Sequence, residues 1–184
     1  MVACALNLGA GLPDIAAALR SARGVKGRVE VVPVPAAYTV IIDYAHTPDA
    51  LENILTTVRD LTDRRVICLF GCGGDRDRSK RPAMGSIAAA LADICVVTSD
   101  NPRTEEPVAI IADILKGMEG TDTPVRVEPD RRAAIRLALS EAGTGDVVVL
   151  AGKGHETYQE IDGVQFHLDE REEVAGFFAR GRRG

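Results

Sequence analysis

From Tyr38 onward, short apolar runs alternate with helical patterns, and that alternation leaves few folds open. The runs YTVIID (38–43), RVICLF (65–70), DICVVTS (93–99), PVRVE (124–128) and DVVVLAG (146–152) are rich in β-branched residues, and most are continuous rather than alternating in polarity. A strand apolar on both faces is one covered on both faces, as in a parallel sheet held between helices. Between these runs, PDALENILTTVRDL (48–61), KRPAMGSIAAALA (80–92), PVAIIADILKGM (107–118) and DRRAAIRLALSEA (130–142) carry apolar residues at helical spacing. The expectation is an α/β fold with a doubly wound, Rossmann-like and mostly parallel sheet. After Gly152, TYQEIDGVQFHLDEREEVAGFF adds a hairpin turning at Asp162-Gly163 and a last helix from about Asp169.

The first 35 residues follow no such rhythm. LPDIAAALRSA (12–22) places Leu12, Ile15, Ala16 and Leu19 on one helical face, and the Gly- and Pro-punctuated RGVKGRVEVVPVPAA after it reads as a linker. Residues 1–35 are therefore expected to be the tail of a preceding domain with its linker, and residues 36–184 the α/β domain. A chain of 184 residues that is 46% hydrophobic can bury a sizeable core. Its net charge of −5 argues against a nucleic-acid partner. VACALNLGAGLPDIAAALRSA is too short and too interrupted to be a membrane span or a secretory signal, so no membrane partner is expected and the cytoplasm is the default location. Cys4, Cys68, Cys72 and Cys95 form no CxxC pair, and three of them lie in or beside strand-like runs. They read as reduced core residues; Cys68 and Cys72 with His46 or His155 match no familiar zinc spacing.

In open parallel sheets, ligands bind outside the carboxyl ends of the strands. Four of the five runs end there in unusual polar sequences. In DYAHTPDALEN, Thr47 suits a helix N-cap, Pro48 the first helical position and Asp49 the helix dipole. Asp43 and His46 admit two readings: contacts to a nucleotide sugar, a phosphate or a magnesium-bound water, or, more plainly for each taken alone, satisfied turn residues. In GCGGDRDRSKRP, Gly71, Gly73 and Gly74 could take positive φ and form a nest of N–H groups, with Arg76, Arg78, Lys80 and Arg81 around it. The functional reading is a seat for phosphate or carboxylate, and the bland one a solvated loop of ion pairs. The G-x-G-x-x-G fingerprint fails at Arg76.

AGKGHETYQ lacks the first glycine and the hydroxyl residue of a P-loop. Lys153 could meet a phosphate or carboxylate and Glu156 an ammonium, or both could be charges on an ordinary glycine turn. In SDNPRTEEP, Arg103 can grip a carboxylate with two parallel bonds, Asn101 can donate and accept, and Pro102 stiffens the backbone between them. A helix-entry turn with Asp100 as the cap accounts for Thr104 to Pro107, but not for Asn and Arg on a rigid support.

These four motifs, in this order and spacing, resemble the C-terminal domain of the Mur ligases, in the branch that adds diaminopimelate. The resemblance covers about Gly24 to the C-terminus. It implies a cytoplasmic ligase of peptidoglycan synthesis that uses ATP and Mg2+ to phosphorylate the carboxylate of a UDP-N-acetylmuramoyl-dipeptide, whose acyl phosphate the incoming amine attacks. It implies a meso-diaminopimelate pocket made of Asp100, Asn101, Pro102 and Arg103 with Arg76, Gly152 and Glu156, in which Arg103 reads the carboxylate that lysine lacks. Arg28, Asp43 and His46 match positions on the ATP side, although Lys26 stands where proline is usual. The P-loop, the carbamylated lysine and the UDP-sugar domain would precede this sequence. The chain is thus expected to be a closing domain that holds no metal, supplies no catalytic residue of its own and is inactive alone. The rival reading is a non-catalytic module that binds an amino acid or a wall precursor.

Overall fold

The computed structural model describes residues 2–21 and 24–181. Ala22, the end of the expected first helix, lies outside the described residues. Two short helices, α1 (Val2–Asn7) and α2 (Leu12–Ser21), precede the sheet. The sheet strands are β1 (Glu30–Val32), β2 (Thr39–Asp43), β3 (Val66–Phe70), β4 (Ile94–Val97), β5 (Val125–Val127) and β6 (Val147–Ala151), in the spatial order β1-β2-β6-β3-β4-β5. All pairings are parallel except β1 with β2. The expected α/β architecture is present. One part of the sequence reading changes: the stretch taken as linker contributes the antiparallel edge strand β1, three residues too short to leave a pattern.

The continuous apolar runs are explained by two helical layers. Alternate strand residues Ile41, Cys68, Phe70, Cys95, Val97 and Val149 face α3 (Pro48–Leu61), α4 (Lys80–Leu91) and α5 (Pro107–Leu115). Their neighbours Val40, Ile42, Ile67, Leu69, Val96, Val148 and Leu150 face α6 (Arg131–Glu141) and Val174 of α7 (Glu170–Gly181). Thr47 caps α3 through its hydroxyl and Pro48 opens it, as expected. The helix expected over 107–118 tightens into a 3-10 turn at Lys116–Met118. Buried Cys68, Cys72 and Cys95 belong to the first layer, whereas Cys4 is exposed, on a short helix that no core covers. Burial pushes the thiols of Cys72 and Cys95 up to about 12 and raises that of Cys68 well above the ordinary thiol range, so all three stay protonated.

The hairpin of β7 (Tyr158–Ile161) and β8 (Val164–His167) turns where expected, with positive φ at both Asp162 (49°) and Gly163 (75°), as a two-residue turn matching strand twist requires. Among the described residues, no helix is long and apolar enough to cross a membrane.

The consequence for function lies in the strand order. β2, β6, β3 and β4, whose carboxyl ends carry the four motifs, are consecutive neighbours, so motifs scattered from Asp43 to Glu156 end on one rim. Leu69, on β3 in the middle of the sheet, is fully buried. Leu69→Ala is expected to cost about 2–5 kcal/mol, read as a lower urea midpoint with an unchanged slope.

Candidate functional site

A cavity of about 430 Å³ opens at this rim, lined by Tyr44, His46, Thr47, Gly73, Arg76, Asp77, Lys80, Asp100, Asn101, Arg103, Gly152 and Glu156. Arg76, Lys80 and Arg103 supply its positive groups; Asp77, Asp100 and Glu156 supply its negative ones. Of the expected pocket residues, only Pro102 does not line it.

The floor is a buried network around Lys153. Its side chain is fully buried, and its ammonium lies 3.3 Å from Asp100 Oδ1 and 3.1 Å from Glu156 Oε2. It also donates to Asn101 Oδ1 and lies 5.4 Å from the centre of the Tyr158 ring. The expected anion contact at Lys153 is therefore corrected: three internal oxygens already occupy this cation, and none of it reaches open space. Burial opposes ionisation of Asp100, but the charges of Lys153 and Arg131 outweigh it and lower its carboxyl. Asn101 Oδ1 also accepts from Glu160 N at 3.0 Å, and Asn101 Nδ2 donates to Glu156 Oε2 at 3.1 Å. Glu156 Oε1 accepts from the Tyr44 hydroxyl at 3.3 Å. Asn101 thus spends its oxygen internally and can offer the cavity only an N–H.

Arg103 adopts φ +52°, left-handed for a residue with a side chain, and its backbone is hooked on both sides to the hairpin. Arg103 N donates to Glu160 O at 3.1 Å and Asp162 N donates to Arg103 O at 2.8 Å. Its guanidinium is fixed by Nη1 to Gly74 O at 2.8 Å and Nε to Glu160 Oε2 at 3.3 Å. Nη2 keeps no protein acceptor among the described residues. Gln159 Nε2 donates to Asp100 O at 2.6 Å. The hairpin is thus the support under Asp100 to Arg103, a role no residue pattern announced.

The glycine-rich loop works differently from the expectation. Gly71, Gly73 and Gly74 are absent from the positive-φ positions, and Gly74 N donates to Asn101 O at 2.9 Å instead of facing an anion. Glycine is required there by close approach: a Cβ on Gly74 would stand 1.9 Å from Pro102 O. Nor do all four cations of the loop face a ligand. Arg81 is buried against Glu105 (2.8 Å) and Asp113 (3.0 Å), and Arg78 meets Glu105 at 2.9 Å. Asp75 N also donates to Glu105 Oε1, while Asp75 accepts from Thr104 Oγ1. Arg76 and Lys80 remain on the cavity, Lys80 donating to His46 O at 2.7 Å. Asp100 caps no helix; Glu106 stands at the N-cap of α5, ahead of Pro107.

The three residues expected on the nucleotide side separate. His46 lines the cavity, its ring tilted at 58° against that of Tyr44 with centres 4.7 Å apart. Arg28 lies over the same ring, its guanidinium carbon 5.9 Å from the centre. Asp43 accepts from Val29 N at 2.7 Å and Ala45 N at 2.8 Å, so its carboxylate is spent on the chain itself. Among the described residues, no three His, Cys, Asp or Glu side chains converge as a metal cage.

The family model of the Mur ligase, glutamate ligase domain matches residues 27–154. The chain belongs to the Mur ligase family. Among its relatives, the UDP-N-acetylmuramoyl-L-alanyl-D-glutamate--2,6-diaminopimelate ligase of Syntrophomonas wolfei is 55% identical over 169 residues, which cover 91% of this chain and 34% of the relative. The ligase of the same name from Clostridioides difficile is 50% identical over 94% of this chain and 36% of its own length. A solved structure of a ligase of that name superposes with a TM-score of 0.81 at 40% identity, over 97% of this chain and 37% of the other. The UDP-N-acetylmuramate-alanine ligase of Thermotoga maritima, 21% identical with a TM-score of 0.62 over 99% of this chain and 36% of its own, shares the fold. The chain thus spans about a third of the length of the relatives it matches.

Within this Mur ligase domain, Glu105 is the joint between the glycine loop and the Asp100–Arg103 loop. Hydrogen bonds from Arg81, then from Asp75 N, hold its carboxyl down at about 2, against an ordinary 4.5. A carboxyl depressed in the folded state stabilises above its unfolded value and loses that contribution as pH falls through the folded one. Glu105→Gln is therefore expected to destabilise at pH 6 and progressively less from pH 4.5 to about 2, measured by urea unfolding of both forms across that window.

Proposed function

We propose that this chain is the amino-acid-binding, closing domain of an ATP-dependent ligase that joins meso-diaminopimelate to UDP-N-acetylmuramoyl-L-alanyl-D-glutamate in the cytoplasm. The observation that carries the reading is the charge layout of the cavity. Arg76, Arg103 and Lys80 line it together with Asp77, Asp100 and Glu156, the last two anchored by buried Lys153. A ligand that is a zwitterion at both ends needs such paired signs, because each buried charge of the ligand must meet an opposite one. The free Nη2 of Arg103 is the group left to read a second carboxylate, the feature that separates diaminopimelate from lysine. The names of the relatives support the same substrate.

His46 and Arg28 lie against Tyr44 and would face the nucleotide. ATP, when bound, supplies the phosphoryl group that activates the peptide carboxylate. Mg2+ would be held mainly by the segments that accompany this domain in its longer relatives. The part of this chain in the chemistry is positioning: it holds the amine of the amino acid still and excludes water around it.

The test is Arg103→Ala in the complete ligase. A site built to bond a substrate group discriminates strongly against analogues lacking it. The variant is expected to lose about 100-fold or more in kcat/KM for meso-diaminopimelate and little of its residual activity with lysine. Equal discrimination by wild type and variant overturns the assignment. Calorimetry on the isolated chain decides against the binding-module reading if diaminopimelate binds only weakly without ATP and the other segments.

A further inference from the structure

Arg131 and Glu170, the first residues of α6 and α7, are fully buried yet neither lines the cavity. Arg131 Nη1 donates to Ser99 O at 3.2 Å, and Nη2 donates to Ala151 O at 2.8 Å. These are the carbonyls directly before Asp100 and Gly152. Ser99 lies just past β4 and Ala151 ends β6, and these strands are not neighbours, because β3 lies between them. The pairing of β4 with β3 ends with Thr98 N donating to Phe70 O, so no ladder bond reaches Ser99. The guanidinium takes over where the sheet stops, and Glu170 Oε1 accepts from its Nε at 3.0 Å and its Nη2 at 2.8 Å. Glu170 Oε2 has no hydrogen-bond partner among the described residues. A hydrophobic pair would leave two strand-end carbonyls bare, and a lysine lacks the fork to span both.

We propose that Arg131 is a positioning residue of the amino-acid site, a buried fork that sets the spacing between the Asp100–Arg103 and Gly152–Glu156 loops, with Glu170 of the last helix as its charge partner. The amino acid it serves is the one assigned above, on which this inference rests. The spacing matters because Gly152, at φ +114°, has no room beside Asp100: a Cβ there would lie 2.8 Å from Asp100 Oδ2. A shift of either loop would separate Asp100 and Glu156 from the ammonium they flank.

The test compares Arg131→Met, Glu170→Gln and the double variant in the complete ligase. Burial, and after it the charge of Asp100, raises the Glu170 carboxyl, and the charge and hydrogen bonds of Arg131 with the charge of Lys153 oppose this, so Arg131→Met leaves a stranded acid that Glu170→Gln removes. The double variant is expected to regain thermal stability relative to Arg131→Met. Its KM for the amino acid is expected to stay raised about tenfold while its KM for ATP moves less than about twofold. An amino-acid KM that recovers together with stability, or an ATP KM that rises in step, overturns the proposal. Should neither Arg131 variant fold, hydrogen exchange in Glu170→Gln decides: selectively faster exchange at Asp100, Asn101 and Gly152 supports it, and wild-type exchange there overturns it. If wild type accepts lysine as readily as diaminopimelate, the substrate reading falls, and the KM comparison with the accepted amino acid still judges Arg131.

Discussion

Four parallel strands that end side by side leave a row of carbonyls and acidic side chains at the edge of a dry core, and two buried cations balance them. Lys153 gathers Asp100, Asn101 and Glu156. Arg131 gathers Ser99 O, Ala151 O and Glu170. In such surroundings an unpaired ion costs several kcal/mol, so each cation holds its oxygens in place as long as the domain is folded. The cavity above inherits its shape from that constraint.

Around this floor, the loops fasten one another rather than standing alone. Gly74 approaches Pro102, Arg103 bonds Gly74 O, Glu105 joins Asp75 to Arg81, and the hairpin grips Arg103 from the far side. The residues before β1 take part as well. Gly27 packs so closely on Gly154 and His155 that a Cβ would fall 2.1 Å from His155 N, and Arg171 of α7 ties Glu30 to Gly154 O. The segment around Gly27 therefore rests directly on the Gly152–Glu156 loop at the rim of the cavity.

Much of the site was legible in the sequence because its chemistry is concentrated in contiguous motifs at strand ends. Arg103, Asn101, Asp100, Arg76, Gly152, Glu156, His46 and Lys80 all reach the same cavity. The roles were less legible than the membership. Lys153 and Arg81 looked like surface cations because a sequence shows charge but not burial, and both turned out to be internal partners of carboxylates. Gly71, Gly73 and Gly74 looked like a nest because glycine permits positive φ, whereas here it permits contact with the segment 98–103. Asp43 looked available because its two backbone donors, Val29 and Ala45, include one 14 residues away.

The sequence by itself determined the α/β class, most of the strands and helices, the hairpin turn and the carboxyl-end location of the candidate site, since hydrophobic period and turn chemistry are local properties. Only the tertiary structure decided that β6 inserts between β2 and β3, bringing Lys153 and Glu156 beside Asp100 and Asn101. It also decided that Arg131, Glu170, Gln159 and Glu160 serve those motifs. Strand order and the partner of a buried charge are set by packing across many tens of residues, and no local pattern encodes them.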